Sequence, residues 1–172
     1  MAKEDIYHYC ATDPVYHPEW HWITDNIALG SYPLDPALKE ILDAGVSTII
    51  SVRMDEPDYD LGLFEEACVL EVEDGCPFPY DDLVQGLAFL HDVVESGRKV
   101  YVHCFAGVSR SSFFVACYLM LRERWSFEEA VRFVQSRRSQ CFPDPGLYSR
   151  PLLERLNGDR AVVLGLVGVE DK

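Results

Sequence analysis

The residue types that invite chemistry stand together in one stretch, Val100-Tyr101-Val102-His103-Cys104-Phe105-Ala106-Gly107-Val108-Ser109-Arg110-Ser111-Ser112. A short apolar run ends on His103, Cys104 follows, and Arg110 stands six positions later where a long apolar segment begins. A thiol is a weak nucleophile and a thiolate a strong one. At a helix N-terminus, ringed by backbone N–H groups, a cysteine pKa falls from about 8.5 into the range of roughly 3.5–7.5. Small residues such as Ala106, Gly107 and Ser109 let the backbone curl with its amides inward, as in an anion nest. The planar guanidinium of Arg110 can take two phosphate oxygens at once. Phe105, Ala106, Gly107, Val108, Ser109 and Arg110 are therefore expected to cradle a phosphoryl group, with its phosphorus facing the Cys104 sulfur.

Such a cradle needs a strand to deliver the cysteine and a helix to anchor the arginine. Residues 99–103 supply the strand. Residues 111–123 are apolar nearly all round, as in a helix at the centre of a domain. Upstream, residues 23–31 read as two short strand segments about an Asp25-Asn26 turn. A helix opens at Asp35-Pro36, with Asp35 as its cap, and closes at Gly45. Residues 46–52 are β-branched and bounded by turn residues, hence a buried strand. Residues 61–67 read as a short helix and 68–72 as a strand. The Gly- and Pro-containing stretch 73–79 is a loop. A helix follows over 80–96, with Leu83, Leu87, Leu90 and Val94 on one stripe and Gly97 as its stop. Ser126-Phe127-Glu128-Glu129 is a capping box for a helix that buries Phe127, Ala130, Val131 and Val134. Pro143 to Gly146 breaks the chain, and a last helix ends near Leu156. This order predicts an α/β fold in one domain, a central, mainly parallel, twisted sheet of about four to five strands flanked by helices. Its limits are residues 23–157, between an aromatic-rich arm (1–22) and a tail (158–172).

The chain has 172 residues, enough for one domain with a substantial core. Its net charge of −14 argues against nucleic acid and anionic membrane as partners. No signal-like leader and no apolar run of membrane-spanning length is present. Six scattered cysteines without a C-x-x-C pair suit reduced thiols and a cytoplasmic setting. His8, Cys10, His17 and His21 are poorly spaced for zinc, so the arm is read as aromatic packing, with no metal and no cofactor expected. The apolar run 161–169 fits an edge strand, a partner contact or a disordered end.

His103-Cys104-x-x-Gly107-x-x-Arg110-Ser111 resembles the signature of the cysteine-dependent protein phosphatases, matching five specified positions. The Ala-Gly-Val-Ser-Arg-Ser form, the following Ala116-Cys117-Tyr118-Leu119-Met120, and Ile27-Ala28-Leu29-Gly30-Ser31 are similar to the dual-specificity branch. The resemblance covers roughly residues 23–156. It implies attack by Cys104 to form a phosphocysteine, a hydroxyl at Ser111 that helps the thiolate leave, and His103 as a supporting residue. It also implies a general acid on a loop about thirty residues before the cysteine. Asp74 stands there; Asp81 and Asp82 have helix-start positions common for dipole reasons alone. Asp58, Asp60 and Glu73 are weaker candidates.

Relatives that act on phosphoinositides tend to carry Lys or Arg in the cradle, and positions 105–109 have none. A phosphorylated protein, carrying phosphotyrosine or phosphoserine/threonine, is the expected partner; oligomeric state is left open. A phosphoglucan, a weakly active phosphoprotein-binding module, and a sulfur-transfer or arsenate-reducing enzyme are the alternatives. The resemblance further raises a redox disulfide from Cys76 or Cys68 to Cys104, while Cys117 reads as core.

Overall fold

A computed structural model describes residues 19–166. Its five strands are β1 (Trp20–Trp22), β2 (Ile27–Gly30), β3 (Val46–Val52), β4 (Glu66–Leu70) and β5 (Lys99–His103), in the spatial order β1-β2-β5-β3-β4. β1 runs antiparallel to β2; every other pairing is parallel. The α/β expectation with a mainly parallel sheet therefore holds. β5 is central, and its terminal His103 lies opposite Gly30 on one side and Ser51 on the other. Parallel sheets are covered on both faces, which is why β3 and β5 read as nearly unbroken apolar or β-branched runs.

On one face α1 (Asp35–Asp43) sets Leu38 and Ile41 against Ala28, Val46, Ile49, Phe64 and Tyr101. The other face carries α2 (Tyr80–Glu95), α3 (Arg110–Glu123), α4 (Phe127–Arg137), α5 (Arg150–Gly158) and α6 (Arg160–Val163). The α2 stripe of Leu83, Leu87, Leu90 and Val94 is buried. At Gly86 a side chain would run into Leu70 and Phe114. Every residue of α3 from Arg110 to Leu121 is buried. Each buried Phe or Leu there contributes roughly 1.5–3 kcal/mol, so the helix that begins at the cradle is held along its length. The predicted capping box of α4 is present, with Ser126 and Glu129 bonded reciprocally. Phe127, Ala130 and Val134 are buried and Val131 is half-buried.

Three local expectations change. Residues 61–67 are not a helix: a single 3-10 turn spans Leu61–Leu63, with Asp60 accepting from the Gly62 amide at 2.8 Å, and the chain then extends into β4. Pairing with β3 overrides the local helical preference. Asp35 is the first helical residue rather than the cap; Leu34 holds that position with no side-chain bond. The last long helix ends at Gly158, close to its expected limit, but the apolar run after it begins as a short helix, Arg160–Val163, that buries Val163 and Leu164 in the main core. Trp20 and Trp22, at the inner end of the predicted arm, belong to β1 and pack edge-on to each other. His8, Cys10, His17 and residues 167–172 lie outside the described residues. Among the described residues no helix is long and apolar enough to cross a membrane, and no three potential ligands gather as for a metal ion.

Candidate active site

The cradle turns immediately after β5, at the carboxyl end of the parallel strands where α/β folds place ligands. Gly107 adopts φ +66°, a left-handed conformation that favours glycine. Its Cα faces the backbone of Gly30, and a Cβ there would overlap the Gly30 carbonyl. Gly30 is equally confined, since a side chain would collide with Tyr101 and the Glu19 carbonyl. The two glycines let β2 and the cradle touch, which explains the Leu29-Gly30-Ser31 pattern. Gly107→Ala is expected to cost at least about 1–3 kcal/mol from the conformation alone, with overlap added, read as a lower Tm. An unchanged Tm would contradict this packing.

A second segment braces the cradle from behind. Arg138, 2% exposed at the end of α4, donates from Nε to the Gly107 carbonyl (2.9 Å) and from Nη2 to the Ala106 carbonyl (3.3 Å). Its Nη1 donates to Nδ1 of His21 at 3.0 Å. The Phe142 amide donates to the Val108 carbonyl (2.8 Å), and the Asp144 amide to Ser109 Oγ (3.0 Å). The Ser112 hydroxyl bonds the Val108 and Ser109 carbonyls. With its carbonyls held outward, the loop presents amides inward. Arg138→Met leaves the buried Gly107 carbonyl short of its charged partner, at about 1–3 kcal/mol, removes the bond to the exposed Ala106, and loosens the Gly107 amide. The expected result is a shift of Cys104 alkylation by iodoacetate to higher pH; an unmoved profile would show that Arg138 acts on stability alone.

Cys104 is buried, with Sγ 3.2 Å from Ser111 Oγ. Burial pushes its pKa up, but the Ser111 hydroxyl and amide, the Arg110 charge and the Gly107 amide outweigh this and bring it below the ordinary thiol value. Three other thiols behave oppositely. Burial raises Cys68 to about 11 and Cys141 to about 12, and holds Cys117 well above its normal value. Neither Cys68 nor Cys76 lines the pocket described below. Cys141 sits behind the cradle, its thiol 3.8 Å from the Gly107 carbonyl.

His103 is fully buried and its pKa is lowered to about 3, chiefly by that burial. Its Nδ1 bonds the Cys104 carbonyl (2.8 Å), which can only accept, so Nδ1 carries the proton. Nε2 then accepts from the Tyr59 hydroxyl at 2.6 Å. A ring neutral at physiological pH and bonded on both sides orients the chain at Cys104 and transfers no proton.

Arg110 is 3% exposed and donates from Nη1 to the Val72 carbonyl at 2.9 Å, which ties the cradle to the strand end before the Asp74 loop. Its buried Nε makes no hydrogen bond and lies 3.7 Å from Asp74 Oδ1. A phosphoryl oxygen would supply that missing bond. Asp74, half-exposed, is followed by Gly75 at φ +72°. Its loop is pinned by the bond from the Phe78 amide to the Leu147 carbonyl (2.9 Å) and by the approach of Gly146 to Gly75. Cys104, Arg110 and Asp74 thus open onto one pocket of about 650 Å³, with Phe105, Ala106, Val108 and Ser109 in its wall. Gly107 faces the back of the cradle and Ser111 lies beneath the sulfur. Asp58, Asp60, Asp81 and Asp82 do not line it, whereas Met54, Asp55 and Glu73 do. Arg138, Tyr59, Met54 and Asp55 carried no signal in the sequence, because each reaches the site from a distant segment.

Comparison with known proteins agrees with this geometry. The family model for the dual specificity phosphatase catalytic domain matches residues 27–154, and the chain belongs to that family. It is 34% identical over 142 residues to human phosphatidylglycerophosphatase and protein-tyrosine phosphatase 1, covering 76% of this chain and 70% of that one. It is 33% identical over 110 residues to chicken dual specificity protein phosphatase 4, covering 63% of this chain and 29% of the chicken protein. The chain spans 47% of an invertebrate iridescent virus protein that it matches at 43% identity, so it covers about half or less of several relatives. Among solved structures, human tyrosine phosphatase-like serine/threonine/tyrosine-interacting protein superposes with a TM-score of 0.69 at 25% identity, covering 86% of this chain and 99% of that chain. PTPMT1 in complex with PI(5)P gives a TM-score of 0.69 at 26% identity, with 87% and 99% covered.

Proposed function

We propose that this protein is a phosphatase that hydrolyses phosphomonoesters on proteins, on tyrosine and on serine or threonine, through a phosphocysteine. The observation that carries this reading is one pocket holding a thiol of lowered pKa, a buried guanidinium with an unbonded Nε, and a carboxylate. In the first step the Cys104 thiolate attacks phosphorus and the bond to the leaving oxygen breaks. Arg110 and the cradle amides stabilise the equatorial oxygens, while Asp74 protonates the leaving oxygen. In the second step Asp74 takes a proton from water, whose oxygen attacks phosphorus. The sulfur departs as thiolate, stabilised by the Ser111 hydroxyl, and inorganic phosphate is released.

A second reading is favoured by the human relative whose name includes phosphatidylglycerophosphatase: a non-protein phosphomonoester would use the same steps. Capture by a Cys104→Ser trap separates the two. Retention of a phosphoprotein supports the first; retention of a phospholipid or phosphoglucan alone overturns it. Absence of turnover with every phosphomonoester under reducing conditions overturns the enzymatic reading itself.

A further inference from the structure

The mouth of the Cys104 pocket is lined by Asp55 and Glu73 as well as Asp74. The Asp55 side chain is 76% exposed, and Glu73 is also exposed. Among the described residues Arg110 is the one cation in the lining, and it is buried at the bottom, where a phosphoryl group would engage it. Arg53 lies 3.7 Å from Asp55, but its side chain is only 13% exposed. Its guanidinium rests against the Tyr32 ring (4.6 Å) and near that of Phe105 (5.8 Å). It therefore screens Asp55 in part and offers no open cation to substrate.

A bound phosphomonoester dianion and the Cys104 thiolate together exceed the single charge of Arg110. Asp55 and Glu73 add to that excess where residues flanking the phosphorylated one must sit. We infer that the pocket selects phosphorylated peptide segments carrying a lysine or arginine close to the phosphorylated residue, with Asp55 and Glu73 as the specificity-determining carboxylates. This rests on the phosphatase reading above. The exposed Met54 beside them offers an apolar surface for the methylene stem of such a side chain. A headgroup bearing several phosphates, held at an anionic bilayer, brings the wrong charge to the same mouth.

The test compares phosphotyrosine peptides identical except for Arg, Ala or Glu within two positions of the phosphorylated residue. Each rate is divided by the rate of the same protein on a small aryl phosphate. Exposed ion pairs are worth about threefold each, so kcat/KM should favour Arg over Glu by on the order of tenfold. The preference should shrink in 0.5 M salt as the charges are screened (a Debye length below about 8 Å). It should also shrink in the Asp55→Asn/Glu73→Gln double variant. Equal rates for the three peptides, a preference for Glu, or indifference to both salt and the double substitution would overturn the inference. So would faster turnover of phosphoinositide in phosphatidylcholine vesicles than of any peptide. Loss of aryl phosphate turnover in the wild-type protein would instead overturn the phosphatase reading. The salt arm needs no variant and decides the question if the double substitution fails to fold.

Discussion

Aryl phosphate turnover by Cys104→Ser should fall by on the order of 10³-fold or more under reducing conditions. A serine of nearly the same size can keep the contact with Ser111, so the buried site is expected to fold and to hold substrate. It cannot supply the anionic nucleophile, because the amides and the Arg110 charge that bring a thiol below its ordinary value act on a hydroxyl that starts far higher. Iodoacetate should alkylate wild-type Cys104 at pH values where ordinary thiols are inert. Stability should carry the same mark. A folded-state pKa lower than the unfolded one means stability present above the unfolded value and lost as pH falls through the folded one. The wild-type Tm should therefore decline with acidification below the ordinary thiol range in a way that Cys104→Ser does not. Retained turnover in Cys104→Ser would remove the phosphocysteine.

Asp74→Ala should lower kcat by roughly 10²–10⁴-fold with alkyl phosphates, the size expected when a positioned acid is removed. With an activated aryl ester, whose leaving oxygen needs no proton, the loss should be much smaller. This dependence on the leaving group is what distinguishes an acid from a carboxylate that merely shapes the pocket. Asp82→Ala is the matched control, because Asp82 lies in the first turn of α2 and does not line the pocket. If Asp74→Ala left the alkyl phosphate rate unchanged, the acid would have to be sought in Glu73 or Asp55, the other carboxylates at the mouth.

Much of this site was legible in the chain because it is local. Cys104 through Ser111 are consecutive, and a strand followed by small residues and a buried helix has few ways to fold. The α/β layering was legible for a similar reason: β3 and α2 carry strong period-specific patterns, and both stand within a residue or so of their expected limits. Where patterns were weak, tertiary contact decided. Residues 66–70 became a strand because β3 offered them a partner. The chain after Asp159 formed a second short helix because Val163 and Leu164 found the core.

Taken alone, the sequence marked Cys104 as the proposed nucleophile and placed the cradle and its arginine around it, since their chemistry depends on spacing along one short segment. It also singled out Asp74, by resemblance and by its loop. Only the tertiary structure decided how these parts are held. Residues 138–147, of which the chain marks only Pro143 to Gly146 as a break, bond the cradle through Arg138, Phe142 and Asp144, and the Asp74 loop through Gly146 and Leu147. The charge of the pocket mouth was likewise decided in space, where Asp55 and Glu73 meet from separate loops. Backbone carbonyls and surface carboxylates leave no periodic trace in a sequence. Their partners are set by which segments the folded core brings within hydrogen-bonding distance.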